Sequence, residues 1–185
     1  SQLFEVARTL THTFPAQVSL KSKAERGYEL VEGSKNLPAK AVSLHFGDGC
    51  NARNGFRVIG FACLKQIVDN VPALAKADAE GVHQMRVGVR RLRAAMSLFG
   101  ELLQDDETAT LKTELKWLAT ELTPAREFEV LTERVITPLK QRGRLPAGVP
   151  SFSTALARKR STALSRAKDA VASDRFRKLT FEVAA

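Results

Sequence analysis

Several features that would assign a chain to a specialised class are scarce in this sequence. It has two cysteines, Cys50 and Cys63, which are too few and too far apart for a disulfide framework or a metal knuckle. Aromatic residues make up only 6%, and this counts against single-stranded nucleic acid, which proteins usually hold by stacking bases on aromatic rings. No run approaches the roughly 20 apolar residues of a membrane helix, and the N-terminus lacks the pattern of a signal peptide. We therefore expect a cytoplasmic protein with no membrane partner.

Motifs for catalysis are also missing. No glycine-rich loop has the spacing of a nucleotide-binding P-loop, and no group of His, Cys and Asp has the spacing of a metal site. The three histidines, His12, His45 and His83, are scattered along the chain. No nucleophile and base lie at a recognisable spacing. We therefore expect no catalytic residues and no metal ligands in this chain.

The excess of positive charge is the most informative property of the composition. The 185 residues are 44% hydrophobic, which is enough for the core of one domain. Lys and Arg number 29 against 20 Asp and Glu, so the formal net charge is +9. Such an excess predicts a polyanionic partner, which could be nucleic acid, an anionic membrane surface or a phosphate polymer.

Apolar residues recur with the period of an α-helix along most of the chain. We therefore predict an all-α protein: an antiparallel helical bundle from Phe56 onward, preceded by a short mixed N-terminal segment. Residues 34–54 are rich in glycine and predict a linker. The predicted helices cover about 2–14, 55–71, 79–103, 109–122, 124–141 and 151–183, with Pro15 ending the first and a loop from Gly143 to Pro150 preceding the last.

The same periodicity predicts which residues form the core and where one helix begins. Thr123 has the character of an N-cap, and Pro124 that of a first helical residue, so we predict that the chain restarts or kinks its helix there. The residues predicted to be buried are Val89, Leu92, Met96, Leu111, Leu115 and Leu118.

A basic stripe runs along the helix predicted at 79–103. At about 100° per residue, its four members fall within roughly 80° of one another, on the edge of the apolar face, whereas Arg91 lies outside the stripe. No acidic residue occurs between 81 and 100, although like charges one turn apart repel. A bound anion would compensate the repulsion, and guanidinium groups pair bidentately with phosphate. A solvated helix face is the alternative, and the residues alone leave both open. The stripe consists of His83, Arg86, Arg90 and Arg93.

The residues around this stripe carry a family resemblance. The sequence EGVHQMRVGVRRLR, residues 80–93, closely resembles the signature of the CHAD domain, the conserved histidine α-helical domain. The runs 115–118 and 124–130 are similar to the second conserved stretch of that family, with Glu127 and Glu129 where two aspartates are usual. Upstream, residues 22–28 resemble the closing segment of a CYTH domain, the triphosphate-tunnel fold often fused ahead of CHAD.

The resemblance implies a fold and a domain organisation. CHAD domains consist of two pseudo-symmetric four-helix halves around a basic groove that binds inorganic polyphosphate. CYTH–CHAD proteins resemble inorganic triphosphatases, whose Glu-x-Glu-x-Lys strand holds a divalent metal, and that strand is missing from this sequence. We therefore expect residues 1–33 to be the C-terminal remnant of a CYTH domain, 34–54 the linker and 55–185 the N-terminal half of a CHAD domain. We expect no cofactor here, since the divalent metal belongs to a complete CYTH domain.

The resemblance also assigns site residues and a function. It implies that the chain is a polyphosphate-binding module without chemistry of its own. Residues 126–178 hold 13 Lys and Arg against 5 Asp and Glu, so the later helices could widen the groove. Two alternatives stay open: a part of a metal-dependent triphosphatase whose catalytic residues lie outside this chain, and a non-specific nucleic-acid binder. The expected partner is inorganic polyphosphate or another phosphate polyanion, and pairing as a homodimer is left open. The expected polyphosphate-binding residues are His83, Arg86, Arg90, Arg93, Lys116 and Arg126.

Overall fold

The computed structural model describes residues 2–14, 16–34, 36–142 and 148–185, and over these ranges the chain is helical without a strand. The predicted all-α fold is therefore confirmed. Pro15 and most of the predicted loop 143–150 lie outside the described residues. The helices are α1 (Gln2–Thr13), α2 (Lys23–Val31), α3 (Ala52–Asp69), α4 (Val71–Ala75), α5 (Ala79–Leu98), α6 (Asp106–Leu131), α7 (Thr137–Gln141), α8 (Val149–Ala172) and α9 (Asp174–Ala184), with a 3₁₀ turn at Gly100–Leu102 and a π-helical turn at Thr132–Ile136.

The four long helices α3, α5, α6 and α8 form an antiparallel bundle. Helix α5 packs between α3 and α6, α6 packs on α8, and α9 returns to contact both α3 and α6. The ring of Phe56 at the start of α3 lies 5.5 Å from that of Phe99, just beyond the end of α5, as antiparallel neighbours require. Leu74, Met85, Leu118 and Leu122 are fully buried, so the core lies along the axis between these helices.

The predicted core residues are buried with one exception. Val89, Leu92, Met96, Leu115 and Leu118 are all at most 3% exposed. The prediction that Leu111 is buried is wrong, because its side chain is half-buried and packs against the edge of the core cluster. It lies in the second turn of α6, so it reaches the periphery of the core and not its centre.

Two glycines let α5 approach α3 and α4 closely. A Cβ atom on Gly81 would lie 2.6 Å from the Cβ of Ala73, and one on Gly88 would lie 2.9 Å from Cγ1 of Ile67. Neither distance is tolerated between real atoms, so any larger residue would push the helices apart. Both glycines belong to the run 80–93. The two glycines face α3 and α4, so the basic stripe lies on a different face of α5.

The structure corrects two predicted helix boundaries. Pro124 does not begin a helix, because α6 continues from Asp106 to Leu131 with Pro124 inside it. Thr123 is not an N-cap: its Oγ1 donates to the carbonyl oxygen of Ala119 at 2.7 Å. Leu122 and Ala125 are buried on either side of the proline, so packing holds the helix together although Pro124 lacks an N–H.

The second correction concerns the last predicted helix, 151–183, which is two helices. Helix α8 ends at Ala172 and α9 begins at Asp174. Between them Ser173 has an extended conformation, and its side chain accepts from the backbone N–H of Phe176 at 3.2 Å. A serine is a preferred N-cap residue. Because the apolar period continues across Ser173, the sequence pattern did not predict this helix boundary.

The N-terminal segment contains more helix than its mixed pattern predicts. Helix α2 begins with a capping box, in which Ser22 and Glu25 each bond the backbone N–H of the other. The segment predicted to be a linker contacts the bundle at Asn70, whose side chain accepts from Ala39 N at 3.0 Å and donates to Ala39 O at 2.8 Å. None of the residues of α2 is buried.

The stretch Ala52–Ala75 is long and apolar enough to cross a membrane by length and composition alone. This is a weak indication, because the core helix of a bundle passes the same test. In the structure 44% of its most apolar window is buried, and Cys63, Leu64 and Ile67 belong to the buried core.

Candidate functional site

The site begins with the placement of α5. The side chain of Asp78 caps this helix by accepting from the N–H of Gly81 at 3.0 Å. From there α5 runs for 20 residues, with its apolar face in the core and its glycines against α3 and α4. The basic stripe is therefore presented on the side of α5 that adjoins α6.

A groove of about 510 Å³ lies between α5 and α6. Four of its lining residues are cations, and neither a carboxylate nor an aromatic ring is among them. Since positive groups in a concave surface focus the electrostatic potential, this groove is a candidate anion site. It is lined by Arg90, Arg93, Ala94 and Ser97 of α5 and by Lys112, Thr113 and Lys116 of α6.

The cations of this groove are uncompensated. All four are exposed, and within the described ranges none of them forms an ion pair with a carboxylate. Because like charges on neighbouring turns repel, leaving them unpaired costs stability unless an external anion binds. We name this set of Arg90, Arg93, Lys112 and Lys116 the open section.

The opposite side of α6 shows the contrasting arrangement. Three glutamates of α6 each bind an arginine of α8 or α9: Glu129 accepts from Arg160 at 2.5 Å, Glu121 accepts from Arg166 Nη2 at 2.8 Å, and Glu114 accepts from Arg175 Nη2 at 2.9 Å. The hydrogen bonds from these arginines lower the pKa of Glu121 and Glu114. Helix α6 therefore directs these three glutamates toward α8 and α9, and Lys112 and Lys116 toward α5.

This pairing corrects the expectation that the later helices widen the basic groove. Arg160, Arg166 and Arg175 are occupied by glutamates, and the guanidinium of Arg175 also lies 4.2 Å from the ring centre of Trp117. These residues hold α8 and α9 to α6. None of these three arginines lines the groove.

The other end of the stripe has a mixed environment. Burial lowers the pKa of the half-buried Arg86, Glu127 acts in the opposite direction, and Arg126 and Arg90 lower the pKa further. Arg126 is 20% exposed and forms an ion pair with Glu133 at 3.8 Å. We name the set of His83, Arg86 and Arg126 the screened section, because carboxylates lie among its cations.

The predicted site residues are therefore divided between two places. Arg90, Arg93 and Lys116 come together in the open section, whereas Arg86 and Arg126 lie near each other in the screened section. His83 is half-buried on α5 and does not line the groove. Lys112 was missed, although it precedes Lys116 by one helical turn, and this spacing places both on one face.

Arg91 lies off the stripe, as its position on the helix predicts. Its Nη1 donates to Oε1 of Gln66 at 3.0 Å, and Gln66 donates in turn to Gln84 at 3.0 Å. Gln84 completes the series by donating to Glu80 at 2.6 Å. This part-buried polar network ties α5 to α3.

The described residues that line the groove include no histidine, cysteine or carboxylate. No cluster of three or more His, Cys, Asp or Glu that could hold a metal occurs within the part of the chain that the structure describes. Burial raises the pKa of the Cys63 thiol, which disfavours the reactive thiolate. The arrangement can bind and orient an anion.

Comparisons with known proteins agree with this architecture. The sequence model of the CHAD domain family matches residues 59–185, which include the whole groove. The crystal structure of the CHAD domain from the plant Ricinus communis is similar, with 29% sequence identity and a TM-score of 0.68 over 78% of this chain. The matched region is 48% of that plant chain, so this chain spans about half of its length. Among curated proteins, none is similar enough to count as a match.

Proposed function

Because the chain belongs to the CHAD domain family, we propose that it binds inorganic polyphosphate, or a similar phosphate polyanion, in the groove between α5 and α6. The observation that carries this proposal is the open section, in which four cations face one groove without a carboxylate. The chain performs no chemistry on the bound anion.

The chemistry of the open section suits phosphate. Arg90 and Arg93 offer planar guanidinium groups that bind two phosphate oxygens at once. Lys112 and Lys116, from the facing helix, add mobile point charges that follow the irregular path of a flexible chain. A polyanion would neutralise charges on both walls simultaneously and so remove repulsion that the unbound protein carries.

The lining also favours a phosphate polymer over nucleic acid. Single strands are held by stacking of bases on aromatic rings, and the seven lining residues include no aromatic ring. A chain of phosphates without bases makes full use of the open section. Nucleic acid would contact it only through its backbone, with strong salt dependence and no base preference.

We further propose that residues 1–33 are the closing segment of a CYTH domain in a longer protein, as the resemblance of residues 22–28 implies. Tyr28 and Val31 on α2 are 68% and 87% exposed. Apolar side chains grouped on a surface commonly mark a contact with another domain. On this proposal, triphosphatase activity and its divalent metal belong to the parent protein.

The decisive experiment is a competition at physiological salt. Fluorescently labelled polyphosphate is bound to the protein, and unlabelled polyphosphate, RNA and duplex DNA are compared as competitors at equal phosphate concentration. We expect polyphosphate to displace the probe at least tenfold more effectively than either nucleic acid. Equal displacement by all three would support non-specific binding to polyanions. Failure of the labelled polyphosphate to bind saturably would refute the proposed function.

The variant Lys112→Ala connects this result to the groove. Lys178 on α9 is also an exposed lysine and does not line the groove, so Lys178→Ala is the matched control. We expect weaker polyphosphate binding in Lys112→Ala alone. Equal loss in both variants would mean that net charge, and not the groove, determines the affinity.

A further inference from the structure

The positive charge along the site changes in character from one end to the other. In the open section the four lining cations have no carboxylate among them. In the screened section Arg126 is paired with Glu133 at 3.8 Å, and on the next turns of α6 Glu127 is exposed while Glu129 is bound to Arg160. A polyanion that extends from the open section toward His83 therefore meets carboxylates as well as cations.

The two sections differ in length as well. With a rise of about 1.5 Å per helical residue, the groove from Arg90 to Ser97 spans about 10 Å, whereas the distance from His83 to Ser97 is about 21 Å. A short oligophosphate fits within the first length, and only a longer chain reaches the screened section.

We propose that the open section alone anchors a short oligophosphate, and that Glu127 limits the affinity for longer chains by repelling the part that extends toward Arg86 and His83. This proposal rests on the proposed function, since it specifies which phosphate chains the same groove prefers. Glu127 is thus a specificity-determining residue.

Of Glu127, Glu129 and Glu133, Glu127 is the one without an ion pair among the described residues. Glu133 and Glu129 are bound to Arg126 and Arg160, whereas Glu127 has no ion pair within the described residues, and its charge reaches Arg86, whose pKa it raises. Eleven residues of helix separate Lys116 from Glu127, about 16 Å. This exceeds the Debye length of about 8 Å at physiological salt, so Glu127 acts only weakly on an anion held at Lys116.

The test compares two ligands on three proteins. Tripolyphosphate and long-chain polyphosphate are titrated into the wild type, Glu127→Gln and Glu127→Lys by calorimetry at physiological salt. For each ligand, the Kd of the variant is divided by the Kd of the wild type. A long chain offers many overlapping binding sites, and this statistical factor cancels in the ratio because it is the same for both proteins. Glu32→Gln, at an exposed glutamate after α2, is the control.

We expect Glu127→Gln to tighten long-chain binding by about two- to fivefold, the effect of removing one exposed like charge beside the extended chain. Glu127→Lys should tighten it further. For tripolyphosphate, the Kd ratios of Glu127→Gln and Glu127→Lys should stay near one. The Kd ratios of the control Glu32→Gln should stay near one for both ligands. Equal effects on the two ligands, or no effect on the long chain, would overturn the proposal while leaving the proposed function intact. If neither ligand binds the wild type, both fail together.

Discussion

Replacing Arg90 by alanine tests the open section most directly. Arg90 is exposed and lines the groove, and one charge-assisted contact with phosphate is worth about 1.5–3 kcal/mol. The affinity for polyphosphate should therefore fall by about tenfold or more. Arg90→Lys should restore only part of the loss, because an ammonium group lacks the bidentate fork.

The stability of the protein should hardly change in this variant. Arg90 has no ion pair among the described residues and does not belong to the core. Alanine is also a good helix former. The free energy of unfolding should therefore stay within about 0.5 kcal/mol of the wild type, so a loss of binding cannot be attributed to unfolding.

The assay is calorimetric titration with polyphosphate at several salt concentrations. If Arg90 contacts one phosphate, the slope of log K against log salt should decrease by about one in Arg90→Ala. Arg158 on α8 is exposed and outside the groove, so Arg158→Ala is the matched control. Arg91 is unsuitable as a control because its loss would leave the buried Gln66 without a donor. If Arg158→Ala weakens binding as much as Arg90→Ala, the assignment of the groove is refuted.

Two further predictions concern the structure that supports the site. In Gly88→Ala the new Cβ would lie 2.9 Å from Ile67 Cγ1 and 3.2 Å from the carbonyl oxygen of Cys63, so we expect a loss of about 1–3 kcal/mol in urea unfolding; an unchanged midpoint would show that α3 and α5 can separate at no cost. The hydrogen bond from Arg166 lowers the pKa of Glu121 below its ordinary 4.5 in the folded protein, so its contribution to stability is present above pH 4.5 and is lost as the pH falls through the lowered value. The difference in urea midpoint between the wild type and Glu121→Gln should therefore shrink between pH 7 and pH 3, and a constant difference would contradict the ion pair.

The basic stripe and most of the core could be predicted from the sequence because both depend on the local period of a single helix. Val89, Leu92 and Met96 are buried as that period predicts. Arg90 and Arg93 face the groove on the neighbouring side of the same helix, while Arg91 points to α3. The run 80–93 also indicated the family that the comparison with known domains identified.

Tertiary structure alone decided which charges remain available to a ligand. Arg160, Arg166 and Arg175 are the same residue type as three members of the stripe, but helix packing brings a glutamate of α6 to each of them. Packing likewise placed Lys112 opposite Arg93 and kept α6 continuous through Pro124. The apolar period of one helix predicts which of its residues share a face. Which other helix packs against that face depends on residues far away in the chain.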